Sequence, residues 1–207
     1  MKKIILILIT GSFLMSCGKS SEKKEADTGH EMHHQKGSSA GGYIDSLNTG
    51  LIKEDTLKGS PSRVVMNTVG NAHLHITYHS PGVKGRVIWG GLVPYDQVWV
   101  TGAHDATSLQ IINPVMIDGR KIESGTYAIF TIPGKQEWVF ILNKNYKQHL
   151  ADDYKAAEDV LRVKVSPLIS PMTQRLAYAV SATSDSTGII SMSWEKLKIE
   201  VPFSTIK

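Results

Sequence analysis

Thiols are almost missing from this chain of 207 residues: Cys17 is its only cysteine. No disulfide can form within it, and stability has to come from a hydrophobic core. Long apolar runs are missing as well. No stretch approaches the roughly 20 apolar residues that a membrane-spanning helix needs. A strong charge of either sign is absent too: the formal net charge is +4, and loss of residues 1–16 takes Lys2 and Lys3 with it and halves that value. Nucleic-acid binding, which needs a concentrated basic face, is therefore not expected. There is no Gly-x-Ser-x-Gly elbow, phosphate loop or dinucleotide fingerprint. With no catalytic signature, a binding or structural module is expected rather than an enzyme.

What is present begins at the N-terminus. Lys2 and Lys3 form a charged start, Ile4 to Ile9 a short apolar core, and Leu14-Met15-Ser16-Cys17 resembles the bacterial lipobox. That resemblance implies a signal peptide over residues 1–16, a diacylglycerol on the Cys17 thiol, and an exported, lipid-anchored protein of the cell envelope whose partner is the membrane. Two or more acyl chains anchor stably where one does not, at about 0.8 kcal/mol per buried methylene.

Residues 17–57 read as the lipidated cysteine and a flexible tether, since Gly, Ser and charges dominate and apolar periodicity is absent. Tyr43 to Leu57, with scattered apolar residues, reads as a short helix or an early strand. Within the tether His30, Met32, His33 and His34 cluster. Imidazole and thioether suit copper, zinc and nickel, so the cluster reads either as a loose metal collector or as polar linker.

Residues 58–207 read as one domain. Short alternating runs are separated by turn signals: Arg63 to Val69, Ala72 to Tyr78, Val87 to Trp89, Val98 to Val100, Thr107 to Ile112, Val115 to Ile117, Thr126 to Ile132, Glu137 to Leu142, Val160 to Val165, Leu176 to Ala182, Gly188 to Trp194 and Lys196 to Val201. Pro81-Gly82, Asp118-Gly119 and Pro133-Gly134 mark turns between them. This predicts an all-β domain, an antiparallel β-sandwich or jelly roll of roughly ten strands. The one helical piece is expected around Asp152 to Glu158.

Three constellations carry chemistry. His79, His104 and His149 sit at loops, with Asp105 or Asp152 as a carboxylate partner. Such a set suits zinc, copper or iron, and a bound metal would activate water; the alternative is independent turn histidines. His73, His75, Thr77 and His79 share one face of a strand, where an H-x-H pair either chelates a metal or forms a solvated polar face. Arg86, Trp89, Tyr95 and Trp99 surround Gly90-Gly91. They read either as a ligand site that stacks a sugar or holds a carboxylate, or as core packing.

Several segments together resemble the bacterial family called domain of unknown function 2911. They are Val83-Lys84-Gly85-Arg86, Trp89-Gly90-Gly91-Leu92-Val93-Pro94-Tyr95, Val98-Trp99, Thr101-Gly102-Ala103, Gly125 to Lys135, and Asp159 to Val165. The resemblance covers about residues 58–204. It implies an exported, β-rich domain and assigns no reaction. The chain departs from the family pattern in reading Tyr78-His79-Ser80-Pro81 where many members read Tyr-Ser-Arg-Pro, and in having Val100 where many carry arginine and His104 where they carry asparagine.

Overall fold

The structure is a computed structural model and describes residues 39–206. Cys17, His30, Met32, His33 and His34 lie outside the described residues. The described chain is an antiparallel β-sandwich, as the alternating pattern predicts. It contains ten strands, one short α-helix and one 3₁₀ turn.

Six strands form the larger sheet: β1 (Ser62–Val69), β2 (Ala72–His79), β3 (Thr107–Ile112), β6 (Gly125–Ile132), β7 (Trp138–Asn143) and β8 (Asp159–Val165). Their order in space is β1-β2-β3-β6-β7-β8. The smaller sheet holds β4 (Val115–Ile117), β5 (Arg120–Ile122), β9 (Leu168–Ala182) and β10 (Thr187–Thr205), in the order β5-β4-β10-β9. Alternation places Leu74, Ile76, Leu109, Ile111, Trp138 and Phe140 on the inner face of the larger sheet. They meet Leu176, Tyr178, Ile190, Met192, Trp194 and Val201 of the smaller one. Burying side chains of this size contributes about 1.5–3 kcal/mol each for the Leu, Ile, Val and Phe members.

A second, smaller core lies on the outer face of the larger sheet. Val100, Ala106, Ala128, Phe130 and Ile141 are buried there, under Tyr146, Ala151 and Tyr154 of the long connection from β7 to β8. That connection is held down by Asp159, whose carboxylate accepts hydrogen bonds from Asn143 (2.8 Å), Tyr154 (2.7 Å) and Arg162 (2.7 Å). Burial, helped by the Asp159 carboxylate, pushes the Tyr154 hydroxyl up to about 12.

The folded body begins before residue 58. Helix α1 (Ser39–Asn48) seats Ile44 and Leu47 with at most 1% exposure, and the compact unit runs from Gly37 to Lys207. The sequence shows these apolar residues only as a scatter, because a helix this short buries only a few. Every core residue named above lies inside Gly37–Lys207, so a chain cut to that unit keeps the whole core.

Other differences are local. No α-helix forms at Asp152 to Glu158; only Ala156–Glu158 makes a 3₁₀ turn. Residues 87–89 and 98–100 make isolated bridges, Trp89 to Val93 and Trp99 to Thr131, rather than strands. The runs 188–194 and 196–201 belong to one strand, β10. Its buried positions shift from Ile190, Met192 and Trp194 to Ile199, Val201 and Phe203, a change of parity. Glu195, with φ +56°, stands at that change, where the pairing with β9 is irregular and the surplus residues lie on β9.

Candidate functional site

Two short segments lying side by side organise the site. Residues 101–106 follow the bridge at Trp99, and residues 146–152 belong to the cover over the outer core. They pair at Asp105 and His149. Leu150 N–H donates to the His104 carbonyl (2.6 Å), and Ala106 N–H donates to the Gln148 carbonyl (2.9 Å). Three residues here hold a left-handed backbone without being glycine: Thr101 (φ +52°), His104 (φ +60°) and Leu150 (φ +48°). The conformation is least tolerated by the β-branched Thr101, and residues of this kind concentrate at functional sites. Thr101 is over-determined by its contacts. Its carbonyl accepts from Thr107 Oγ1 (3.1 Å) and Tyr178 Oη (3.0 Å), and its own hydroxyl lies 3.0 Å from that of Thr131. Gly102 follows because a Cβ there would sit 2.8 Å from Thr107 Oγ1.

On one side of this double segment lies a polar cleft of about 600 Å³. Its walls come from the end of β2 and the start of β1 (Thr77, His79, Ser62), from Asp105 and Ser108, and from Tyr146 to His149. The His79 and His104 rings meet edge to face with centroids 5.1 Å apart. Burial lowers the His79 pKa below its ordinary 6.5, and the neighbouring His104 adds to the effect. Asp105 and a backbone hydrogen bond at Ala103 oppose it. His79 is therefore a neutral imidazole at pH 7. His149 Nδ1 stands 3.1 Å from the Asp152 carboxylate. Gln148 is 6% exposed; its Nε2 donates to the Asn145 carbonyl (2.6 Å), while its Oε1 is buried without a partner. An unsatisfied buried amide end costs about 1–3 kcal/mol.

His79 and His149 thus line one cleft, and His104 adjoins it through its ring contact with His79. They do not form a metal cage: among the described residues no group of three or more His, Cys, Asp or Glu is arranged to hold one ion. Along β2, alternation does put His73, His75, Thr77 and His79 on the outer face, since Ala72, Leu74, Ile76 and Tyr78 are buried. His73 Nδ1 lies 2.9 Å from Thr68 Oγ1, and His75 is paired across the ladder with Met66 and Gln110. Of that row only Thr77 and His79 line the cleft.

On the other side of the double segment is a second, apolar slot of about 490 Å³, lined by Leu92, Val98, Trp99, Leu150 and Trp194 among others, with Arg86 and Asp152 in its wall. The chain's four tryptophans make one cluster behind it. Trp89 meets Trp99, Trp138 and Trp194 edge to face at 5.8, 4.7 and 5.8 Å, and Trp99 stacks on Trp194 at 5.8 Å. Arg86 and Trp99 of the third constellation reach the slot. Trp89 backs it, and Tyr95 packs on Gly90, whose Cβ position would lie 2.8 Å from the ring.

The sequence reading does not single out Gln148, Trp194 or Arg175. Arg175 is fully buried and ties the start of the domain together. It donates to the carbonyls of Leu57 (2.7 Å), Gly59 (3.0 Å) and Ser80 (3.0 Å), and its Nε is 2.9 Å from Asp55 Oδ2. No pattern signals it, because it sits next to inward-facing Leu176 on a strand whose register is irregular. In the N-terminal segment, which lies outside the described residues, His30-Glu31-Met32-His33-His34 has His-Glu-x-x-His spacing, so the expectation that the chain lacks this motif is corrected by the sequence itself.

Comparison with known families decides the membership. The family described as protein of unknown function DUF2911 matches residues 60–203. The chain belongs to the DUF2911 family. The match spans nearly the entire sandwich, including both clefts, so the resemblance carried by the Trp-Gly-Gly and Gly-Thr-Tyr segments is a true one. The DUF2911 description assigns no reaction. No curated protein and no solved structure matches the chain.

Proposed function

We propose that this DUF2911 protein is a lipid-anchored binding protein of the bacterial envelope, and that the polar cleft is the seat of its ligand. The lipobox-like Leu14-Met15-Ser16-Cys17 supports the anchor. Among the described residues no helix is long and apolar enough to cross a membrane. The observation that carries the seat is Gln148, an almost fully buried amide whose one free end has no partner in the cleft wall. Around it stand the hydroxyls of Ser62, Thr77 and Ser108 and the neutral imidazole of His79. The charged groups of the lining, Lys147 and Asp105, are opposite in sign. A cleft of hydrogen-bonding groups without a net charge suits an uncharged, hydroxyl-bearing molecule such as a short saccharide, with the Tyr146 ring as an apolar face.

Calorimetric titration of the Gly37–Lys207 unit with maltotriose and with diacetylchitobiose tests the seat. Saturable heat with at least one of them, reduced tenfold or more by Gln148→Ala, is the expected result. No heat with either, or heat unchanged by Gln148→Ala, contradicts it. Retention of stoichiometric zinc or copper that is lost in His104→Ala would replace this reading with the metal-dependent one.

A further inference from the structure

The apolar slot is a different kind of site. It opens beside Arg86, at the turn where residues 82–86 leave the end of β2. Arg86 is fixed from within its own turn: Nε donates to the Val83 carbonyl (3.3 Å) and Nη2 to the Gly82 carbonyl, while the backbone N–H of Arg86 also returns to Val83 (2.9 Å). These bonds leave Nη1 without a protein acceptor, and Arg86 forms no ion pair with a carboxylate among the described residues. A guanidinium held in place with free donors is a ready partner for a carboxylate.

Behind Arg86 the wall turns apolar. Leu92 is 47% exposed and Leu150 38% exposed at the slot, both unusually open for leucine. Trp194, 1% exposed, closes it from the smaller sheet, and its indole N–H has no acceptor. An apolar recess of about 490 Å³, with Arg86 fixed in its wall and the Asp152 carboxylate of that wall already 3.1 Å from His149 Nδ1, matches a molecule with an apolar body and one anionic end.

We propose that the slot binds an amphipathic monocarboxylate, a medium-chain fatty acid or an acid of similar shape, with its carboxylate on Arg86 and its apolar body against Leu92, Val98, Trp99 and Trp194. This site is independent of the polar cleft and of the saccharide reading; the segments 101–106 and 146–152 form the wall between them.

The tryptophan cluster provides the readout, because every tryptophan of the chain belongs to it. Intrinsic fluorescence of the Gly37–Lys207 unit is titrated with decanoate below its micellar concentration, and with decan-1-ol, which has the same body without the charge. Decanoate is expected to change the emission saturably and to bind at least tenfold more tightly than the alcohol. Arg86→Gln is expected to abolish that preference while leaving the alcohol's affinity within about twofold, and Arg86→Lys to keep most of it. Emission unchanged by either probe overturns the site. Equal affinity for acid and alcohol, or a preference that survives Arg86→Gln, overturns the carboxylate assignment. If Arg86→Gln unfolds the domain, the acid-to-alcohol ratio in the unmodified protein and in Arg86→Lys still decides.

Discussion

At the scale of residues, the most consequential side chain is Arg175. Its guanidinium holds the carbonyls of Leu57, Gly59 and Ser80 and faces Asp55, whose side chain is only 6% exposed. A Cβ on Gly82 would fall 2.4 Å from Asp55 Oδ2, so the same corner excludes any side chain there. Replacing a buried cation strands its partner carboxylate, at a cost of about 3–5 kcal/mol. Arg175→Met is therefore expected to lower the stability measured by denaturant unfolding by that amount, and Asp55→Asn in the same chain to recover part of it. A loss below about 1 kcal/mol would mean that the corner is held by packing alone. None of this is readable from the sequence, where Gln174-Arg175-Leu176 is an ordinary stretch of a strand. His79, by contrast, is legible as a candidate from its place before Pro81-Gly82. Its lowered pKa is not, because that follows from burial and from His104, which the chain brings back from a loop.

At the scale of elements, the strands were legible because alternation is a direct consequence of a sheet with one buried face. The β2 run Ala72 to His79 keeps its buried and half-buried positions strictly alternate. Three features broke the rule. The parity of β10 changes midway, at Glu195, so one long strand reads as two. Strand β9 begins at Leu168, ahead of the expected Leu176, and takes in Pro171 at the edge of the smaller sheet, where a missing N–H is tolerated. Helix α1 is too short for its apolar period to emerge from the surrounding glycine and polar residues, and it forms because Ile44, Leu47 and Asn48 find partners. Asn48 donates to the Arg175 carbonyl (2.9 Å) and accepts from its N–H (2.9 Å), closing both groups of one residue on β9. The cover formed by residues 144–158 was equally illegible. Its order depends on Asp159 of β8 gathering Asn143 of β7, Tyr154 of the cover and its own strand neighbour Arg162, and on Phe130 meeting the Tyr154 ring at 5.2 Å, contacts made mostly between different elements.

At the scale of the whole molecule, the sandwich carries two clefts of different character, and the anchor at Cys17 is a proposal. His149 and Asp105 come together at the polar cleft because residues 101–106 and 146–152 pair, and that long-range pairing leaves no mark on the local sequence. Arg86 reaches the apolar slot from its own turn and Trp99 from its bridge to Thr131, whereas Tyr95 packs on Gly90. The anchor has its own consequence. If Cys17 carries acyl chains, the protein expressed in a bacterium is expected in the membrane fraction, and Cys17→Ser moves it to the soluble periplasmic fraction; membrane retention of Cys17→Ser would remove the lipid from the account.

The central claim is that the polar cleft is the seat of a ligand, and the imidazole rings of His73, His75, His79, His104 and His149 in the Gly37–Lys207 unit test it most directly. His79 and His149 line the cleft and His104 packs against His79, whereas His73 and His75 lie farther along the outer face of β2 and act as internal controls. Their ring signals are followed by NMR during titration with maltotriose and diacetylchitobiose. The account predicts saturable shifts of His79, His104 and His149 with at least one of these sugars while His73 and His75 stay fixed. No movement of any ring with either sugar, or equal movement of all five, would contradict it.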